Sequence, residues 1–439
     1  MPSHSPLAPN AWRWVPTLYF SEGVPYVVAS AVSVIMYKSL GISNTKIAFY
    51  TSWLYLPWVI KPLWSPFVDL HWTKRSWVVS LQFSVGAALA MIALTVPAAF
   101  FFRITLAFFW LLAFSSATHD IAADGFYLLA LPPHQQAALV GVRSLFYRVA
   151  MIAGQGGLVY LAGSLQGPLG NARLAWVAVF FLLAAFFVLV GLYHLVVLPR
   201  PLDDRASRFA PRPSREFLSV FAAFFRKRDI KVILGFLLLY RLAEALLLKL
   251  VAPFLLDGRT AGGLGLTTQQ VGLLYGTLGV LALLLGGLVG GYTISRFGLK
   301  RVLWPMLISM HLPLGVFVGL AALQPASLAV IGGALTVEQF GYGFGFTAYL
   351  VYMMLVSAGE YRTAHYAICT GFMALGMMLP GLSAGWLQDR LGYVRFFIWA
   401  CVATIPSFAV AALIKVEPAY GRKTPPPTAR SQPPQQAVP

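Results

Sequence analysis

The chain has 439 residues, 59% of them hydrophobic and only 10% charged, with a formal net charge of +18. A water-soluble fold of this length would leave a large apolar surface in water, so composition excludes it and makes lipid the solvent. The two cysteines, Cys369 and Cys401, both lie in apolar runs, which excludes a disulfide scaffold and a thiolate metal site.

Crossing about 30 Å of hydrocarbon takes roughly 20 apolar residues in a helix. Such runs occur near 12–37, 44–67, 76–100, 104–130, 137–164, 173–198, 230–256, 268–294, 302–322, 326–356, 363–387 and 396–415, predicting twelve membrane helices. The first is preceded by Pro and His rather than a basic cluster and is long enough to span, so it reads as a retained helix and not a cleaved leader. A charge at the centre of a span costs about 2.5–3.5 kcal/mol on insertion scales and normally faces a partner or a wet cavity. Charges within the runs are therefore the informative residues.

In chain order, the first run carries Glu22, with no basic residue one turn away. In the second, Lys61 precedes Asp69 by eight residues and so lies ~12 Å above the end of its helix, too deep for easy snorkelling. It reads as half of a structural ion pair or as a cavity cation for an anionic substrate. The loop that follows, PLWSPFVDLHWTKR at 62–75, shares its grammar with GGLVGGYTISRFGLKR at 286–301. A Gly- or Pro-bearing helix end and a tight basic loop, repeated at the same place in both halves, mark an internally duplicated transporter.

In the fourth run Asp120 and Asp124 are i,i+4 neighbours. The turn LPPHQQA centres near Pro133, so an antiparallel hairpin brings Asp124 level with Arg143 and Asp120 level with Tyr147 and Arg148. Such pairs either latch two helices together or include a carboxylate that exchanges its cation for a proton. The connection at 200–229 is rich in Pro and Arg, and its SREFLSVFAAFF stretch predicts a short amphipathic helix on the membrane surface.

In the seventh run Arg241 and Glu244 stand at i,i+3, the spacing of a self-neutralising pair, while Lys249 lies on another face and reads as a snorkelling residue. Glu338 opens EQFGYGFGFTAYL in the tenth, with no other charge in its helix; Gly341 and Gly345 make a small-xxx-small packing face. His311 and His365 are single histidines without metal-ligand spacing. A third, partial copy of the loop motif, GWLQDRLGYVR at 385–395, falls between the last two helices on the predicted outer face and is assigned no transport role.

Basic residues crowd the central connection, both repeated loops and the segment after the last span, which places these and both termini in the cytoplasm. They read as topology signals, not as a nucleic-acid surface. The expected organisation is a six-helix bundle at 1–199, a cytoplasmic loop at 200–229, a second bundle at 230–416 and a disordered Pro-rich tail at 417–439.

An all-α integral membrane protein of twelve helices in two six-helix bundles, with basic loops after the second and eighth, has the pattern of the major facilitator superfamily. Asp69, Lys74 and Arg75 stand in for the acidic and basic members of that superfamily's loop motif, while Pro62 and Pro66 replace glycines. The stretches FSEGVPY, K-P-L-W-S-P-x-x-D, SATHDIAADGF followed by LPPHQQ and FYR, LLYRLAEALL, and EQFGYGFGFTAYL resemble the AmpG-type muropeptide permeases and their relatives, the acetyl-CoA transporters, along the chain to about Leu413. By this resemblance Lys61, Asp120, Asp124, Tyr147, Arg148 and Glu338 fall on the family's polar positions, and Arg241 and Glu244 replace a Lys and an Asp of the same signs. Departures are DGFYLLAL after the aspartates, Glu22 at a position where an uncharged residue is common, and a chain that stops at twelve spans where some members have two more.

A membrane-bound acyl- or glycosyltransferase would need a catalytic cluster beside a lipid-facing groove or a nucleotide-phosphate loop, and neither is present. A non-transporting receptor could share the fold. The resemblance implies instead a proton symporter of the inner membrane, a monomer without cofactor or metal, importing muropeptides or amino sugars; another organic anion or an oligosaccharide is the alternative cargo. The substrate is expected at Tyr26, Trp58, Lys61, Tyr147, Arg148, Arg241 and Tyr349, and proton coupling at Glu22, Asp124, Glu244 and Glu338. Gating is expected at Asp69, Lys74, Arg75, Asp120, Arg143, Arg296, Lys300 and Arg301.

Overall fold

With no water in the bilayer core, each backbone N–H and C=O must be satisfied within its own segment, which leaves helices as the solution for long apolar runs. A computed structural model describes residues 11–201, 204, 213–359, 362–418 and 420–422. The expected tail from residue 423 on lies outside the described residues, as does the side chain of Asp69. The first half contains α1 (Ala11–Ser39), α2 (Asn44–Trp53 and Leu56–Leu70), α3 (Lys74–Thr95), α4 (Phe101–Ala130), α5 (133–169) and α6 (Ala172–Val197). The second contains α7 (Ile230–Leu239 and Leu242–Leu256), α8 (Thr268–Phe297), α9 (Leu299–Leu323), α10 (Leu328–Ser357), α11 (362–391) and α12 (393–413).

Nine helices among the described residues are individually long and apolar enough to cross a membrane. The difference from twelve has local causes. α2 is broken at Leu54–Tyr55, where Pro57 supplies no N–H and crowds the preceding turn. α7 is broken at Tyr240–Arg241, and α11 runs into α12 through Gly392, whose φ of 72° only glycine adopts without strain. The surface helix foreseen in the central connection is present as Pro213–Phe225, with Phe224 fully buried against Phe372 and His365. Gly341 and Gly345 do pack tightly: α10 lies against the Ser309 and Met306 carbonyls of α9, where a Cβ would collide.

The apolar core is divided unevenly along the helix axes. At the end bearing the repeated basic loops there are two separate cores, one of Trp14, Leu18, Val78, Phe126 and neighbours in the first half, the other of Phe236, Met306, Tyr349, Met353 and neighbours in the second. At the opposite end a single core draws on both halves, joining Val34, Tyr37 and Phe109 to Leu250, Phe254, Phe317 and Phe397. The halves are thus fused at one end and parted at the other, and the space between them widens toward the basic end.

Candidate functional site

That space is a cavity of about 600 Å³ lined by residues of both halves. In the first half, Trp58 and Lys61 on α2 converge on Asp120 of α4: the indole Nε1 donates to Oδ2 at 3.0 Å and Lys61 Nζ stands 3.8 Å from the same oxygen. One turn on, Asp124 pairs with Arg143 of α5 at 2.6 Å and accepts from the Tyr19 hydroxyl at 3.3 Å, while the Arg143 guanidinium lies 4.5 Å from the Tyr19 ring centroid. The α4–α5 hairpin supplies the Asp124–Arg143 contact anticipated from its turn. It does not bring Asp120 to Arg148: Lys61 and Trp58 both face Oδ2 of that carboxylate, its Oδ1 is buried with no hydrogen-bond partner among the described residues, and Arg148 lines the cavity as an exposed cation. Glu22 is buried on the cavity wall, has Asp124 and Asp120 as its strongest electrostatic neighbours with Arg143 and Lys61 opposing them, and its Oε2 lacks a hydrogen-bond partner among the described residues. Tyr26 meets the edge of Trp58 at 5.2 Å between centroids, with Tyr147 beyond it at 6.4 Å.

The second half is built differently. The break in α7 leaves Arg241 outside regular helix, so the i,i+3 contact with Glu244 does not form. Arg241 instead donates to the Tyr342 hydroxyl and lies 4.5 Å over the Phe346 ring, in the cavity wall. Glu244 and Glu338 are buried behind that wall rather than in it. Among the described residues neither Glu244 oxygen has a hydrogen bond; Glu338 accepts at 2.8 Å from Gln339, which does line the cavity, and Glu244 is its strongest charged neighbour. Among the described residues no ion pair involves Arg241, Glu244 or Glu338. Tyr349, expected on the substrate, is fully buried with its hydroxyl on the Leu237 carbonyl at 2.7 Å, and it does not reach the cavity. Its aromatic character served packing with Phe236 and Tyr240.

At the basic end, Lys74 and Arg75 open α3, and their backbone N–H groups donate to the Asp204 carboxylate at 2.6 and 3.0 Å. Arg75 also donates to the carbonyls of Leu198, at 3.2 Å, and Leu195. Asp204 thus supplies from the central connection the anion that a helix N-terminus favours. Arg296, Lys300 and Arg301 are exposed beside Gly298, away from the cavity; there the backbone N–H of Leu299 donates to Tyr420 at 2.9 Å.

The BT1 family model matches residues 22–255, more than half of the chain. The chain belongs to the BT1 family. The anhydromuropeptide permease of Escherichia coli strain K12 is 26% identical over 420 residues, covering 92% of this chain and 80% of the permease. The transporter AmpG 4 of Rickettsia conorii is 26% identical over 404 residues, covering 89% and 92%. Among solved structures, the nucleoside transporter NupG superposes with a TM-score of 0.67 at 17% identity, covering 92% of this chain and 98% of that one. A D-xylose-proton symporter gives 0.68 at 12% identity, covering 94% and 99%. At such identities the likeness establishes the fold, that of the major facilitator superfamily. This BT1-family chain is a multi-pass membrane transporter and not an enzyme.

The fused end of the BT1 fold holds polar residues that sequence reasoning left without a role. Asn44, at the start of α2, donates to Gln388 at 2.6 Å, Tyr393 at 2.8 Å and Asp257 at 3.3 Å. Asp257, at the end of α7, also takes the Tyr393 hydroxyl at 2.5 Å and an ion pair from Lys38 of α1 at 2.5 Å; Thr45 donates to Asp389. Gln388, Asp389 and Tyr393 all come from the third motif copy, which binds the other half of the molecule. That copy was the available signal. Beside this hub α5 and α8 cross at two π-helical segments, Ala153–Leu158 and Gly272–Gly279, where a Cβ on Gly276 would run into the Gln155 backbone. Lys249, expected to snorkel, instead enters the cavity from α7.

Proposed function

We propose that the protein is a proton-coupled importer of cell-wall-derived muropeptides or amino sugars, resident in the inner membrane with its basic end and both termini in the cytoplasm. The single observation that carries the transport cycle is the cavity between two halves that are fused at one end and parted at the other, which is one limb of alternating access. In this reading residues 1–199 and 230–416 rock against each other about the cavity, and the chain works as a monomer. The permease and AmpG relatives support the cargo, and the wall suits it: Tyr26, Trp58 and Tyr147 present ring faces and edges to N-acetylated sugars, and Lys61, Arg148 and Arg241 supply donors for carboxylates.

The Asp120 and Asp124 pairs hold α2, α4 and α5 together in the parted state and are the contacts that rearrange as the cycle turns. Coupling needs a carboxylate that is uncompensated while buried yet reachable from the cavity. Glu338, reached through Gln339 and neighboured by Glu244, meets this in the second half, as Glu22 does in the first.

The test is uptake into proteoliposomes of labelled anhydromuropeptide, N-acetylglucosamine and acetyl-CoA, under an imposed pH gradient and in counterflow without one. Concentrative uptake of the anhydromuropeptide, collapsed by a protonophore, is the expected result. Uptake of acetyl-CoA alone would replace the cargo, accumulation driven by sodium would replace the coupling ion, and absence of counterflow with any of the three would refute this reading.

A further inference from the structure

Among the described residues five cations line the cavity, and four of them are accounted for: Lys61 and Arg143 by carboxylates, Arg241 by Tyr342 with Glu244 as a neighbouring charge, and Arg148 by its exposure. Lys249 is the exception. It is only 3% exposed, yet no carboxylate among the described residues pairs with it. Its Nζ donates to the Thr51 hydroxyl at 3.1 Å and lies 4.8 Å from the centroid of the Tyr55 ring. An ammonium carries three N–H donors, so the hydroxyl uses one, the ring takes the charge in part, and the remainder is directed at the cavity.

The placement is as informative as the missing partner. Lys249 belongs to α7, whereas Thr51 and Tyr55 belong to α2 of the other half, so the side chain bridges the seam where the halves fuse. Its stem is held against Gly381 of α11, where an added Cβ would stand 3.3 Å from Lys249 Cγ and would also clash with Ser52 Oγ of α2. The ammonium is thus fixed at the closed end of the cavity by three helices from two halves.

We propose that Lys249 binds an anionic group of the transported solute at the closed end of the cavity, and that the solute is therefore anionic at the end that enters deepest. This deepens the transport reading above and rests on it. A carboxylate or phosphate oxygen provides the counter-charge that the protein does not, and a charge-assisted bond there is strengthened by the low dielectric of the site. Because the same Nζ holds Thr51, a bound anion competes with the α2–α7 contact across the seam, which connects occupancy of the cavity to the strength of the closure above it.

The test uses the purified full-length protein and matched pairs of probes that differ in one charge: N-acetylmuramic acid and its amide, glucuronate and glucuronamide, and N-acetylglucosamine 6-phosphate with N-acetylglucosamine. Affinity is read from the ligand-induced shift in melting. The native protein should prefer the anionic member of at least one pair by about tenfold or more. Lys249→Met and Lys249→Gln should both bring that member down to the affinity of its neutral partner without weakening the neutral one, and Lys249→Arg should retain the preference. The melting midpoint without ligand reports whether each variant folds. If the muramic pair fails to bind while another pair shows a Lys249-dependent preference, the muropeptide reading falls and the anion site stands. A preference that survives in Lys249→Met or Lys249→Gln, or a native protein indifferent to charge in all three pairs, overturns the proposal.

Discussion

The two halves of the cavity wall solve the same electrostatic problem in opposite ways. In the first, Asp120 has Lys61 and Trp58, and Asp124 has Arg143 and Tyr19, so each of these aspartates meets a cation and a neutral donor, and Glu22 is the acid of that wall with no ion pair among the described residues. In the second, Arg241, Glu244, Lys249 and Glu338 are all buried, and no ion pair among the described residues joins any of them. A wall whose charges are mostly paired is a scaffold that keeps its shape when the cavity is empty. An uncompensated one is stable only to the extent that solute, proton or water supplies what is missing. The contrast assigns structure chiefly to the first half and exchange chiefly to the second.

The sharpest way to break that contrast is Glu338→Gln. It should reduce pH-driven accumulation to the level of empty liposomes while leaving counterflow within about twofold of native, since exchange need not move the proton. Equal loss of both would make Glu338 a structural residue. Next in size is Asp120→Asn, which leaves Lys61 inside the membrane without its carboxylate. Removing one partner of a buried pair costs about 3–5 kcal/mol, and the expected loss here is at the low end because Lys61 keeps 24% of its side chain exposed. Denaturant unfolding in detergent measures it, and the double variant with Lys61→Met should recover most of the loss.

Asp124→Asn should cost less, about 1 kcal/mol or under, because Asp124 and Arg143 are 43% and 31% exposed. Its effect on uptake should be partly reversed by Arg143→Gln. A double variant that transports no better than Asp124→Asn alone would show that the pair is not what matters at that site. At the fused end Asn44→Ala should cost about 1–2 kcal/mol from the partners left unpaired, with the smallest direct effect on the cavity. Its consequence is conformational: each 1.4 kcal/mol moves a two-state ratio about tenfold, so a cysteine placed at Thr268 on the far side of the seal should be labelled faster than in the native background. Unchanged labelling would remove Asn44 from the closure.

How much of this was legible in the sequence depended on whether the controlling interaction was local. The apolar runs give the spans because length and hydropathy alone decide membrane crossing, and the turn at Pro133 placed Asp124 beside Arg143 because a short hairpin has only one register. The Arg241 and Glu244 pair failed because a break one residue away changes where the side chains point, and no proline announced it. Lys249 and Tyr349 were each assigned the wrong surroundings because their helices are apolar on nearly every side, and a few scattered polar residues do not mark which face meets the cavity. The hub around Asn44 and Asp257 joins residues more than 200 positions apart and could not be read from spacing. Asp204 was missed for a related reason: one carboxylate in an Arg-rich connection gives no hint that it caps a distant helix.

That cap makes the central connection more than a covalent link. Asp204 is moored to the start of α3, and the surface helix that begins at Pro213 is docked through Phe224 onto α11 of the other half. Nine peptide units join Asp204 to Pro213, the first residue of that docked helix, and a fully extended chain of that length reaches at most roughly 30 Å. The covalent length of the connection therefore sets an upper limit on how far the start of α3 and the start of that helix can move apart. Freeing Asp204 would raise that limit without altering a single residue that touches the cargo.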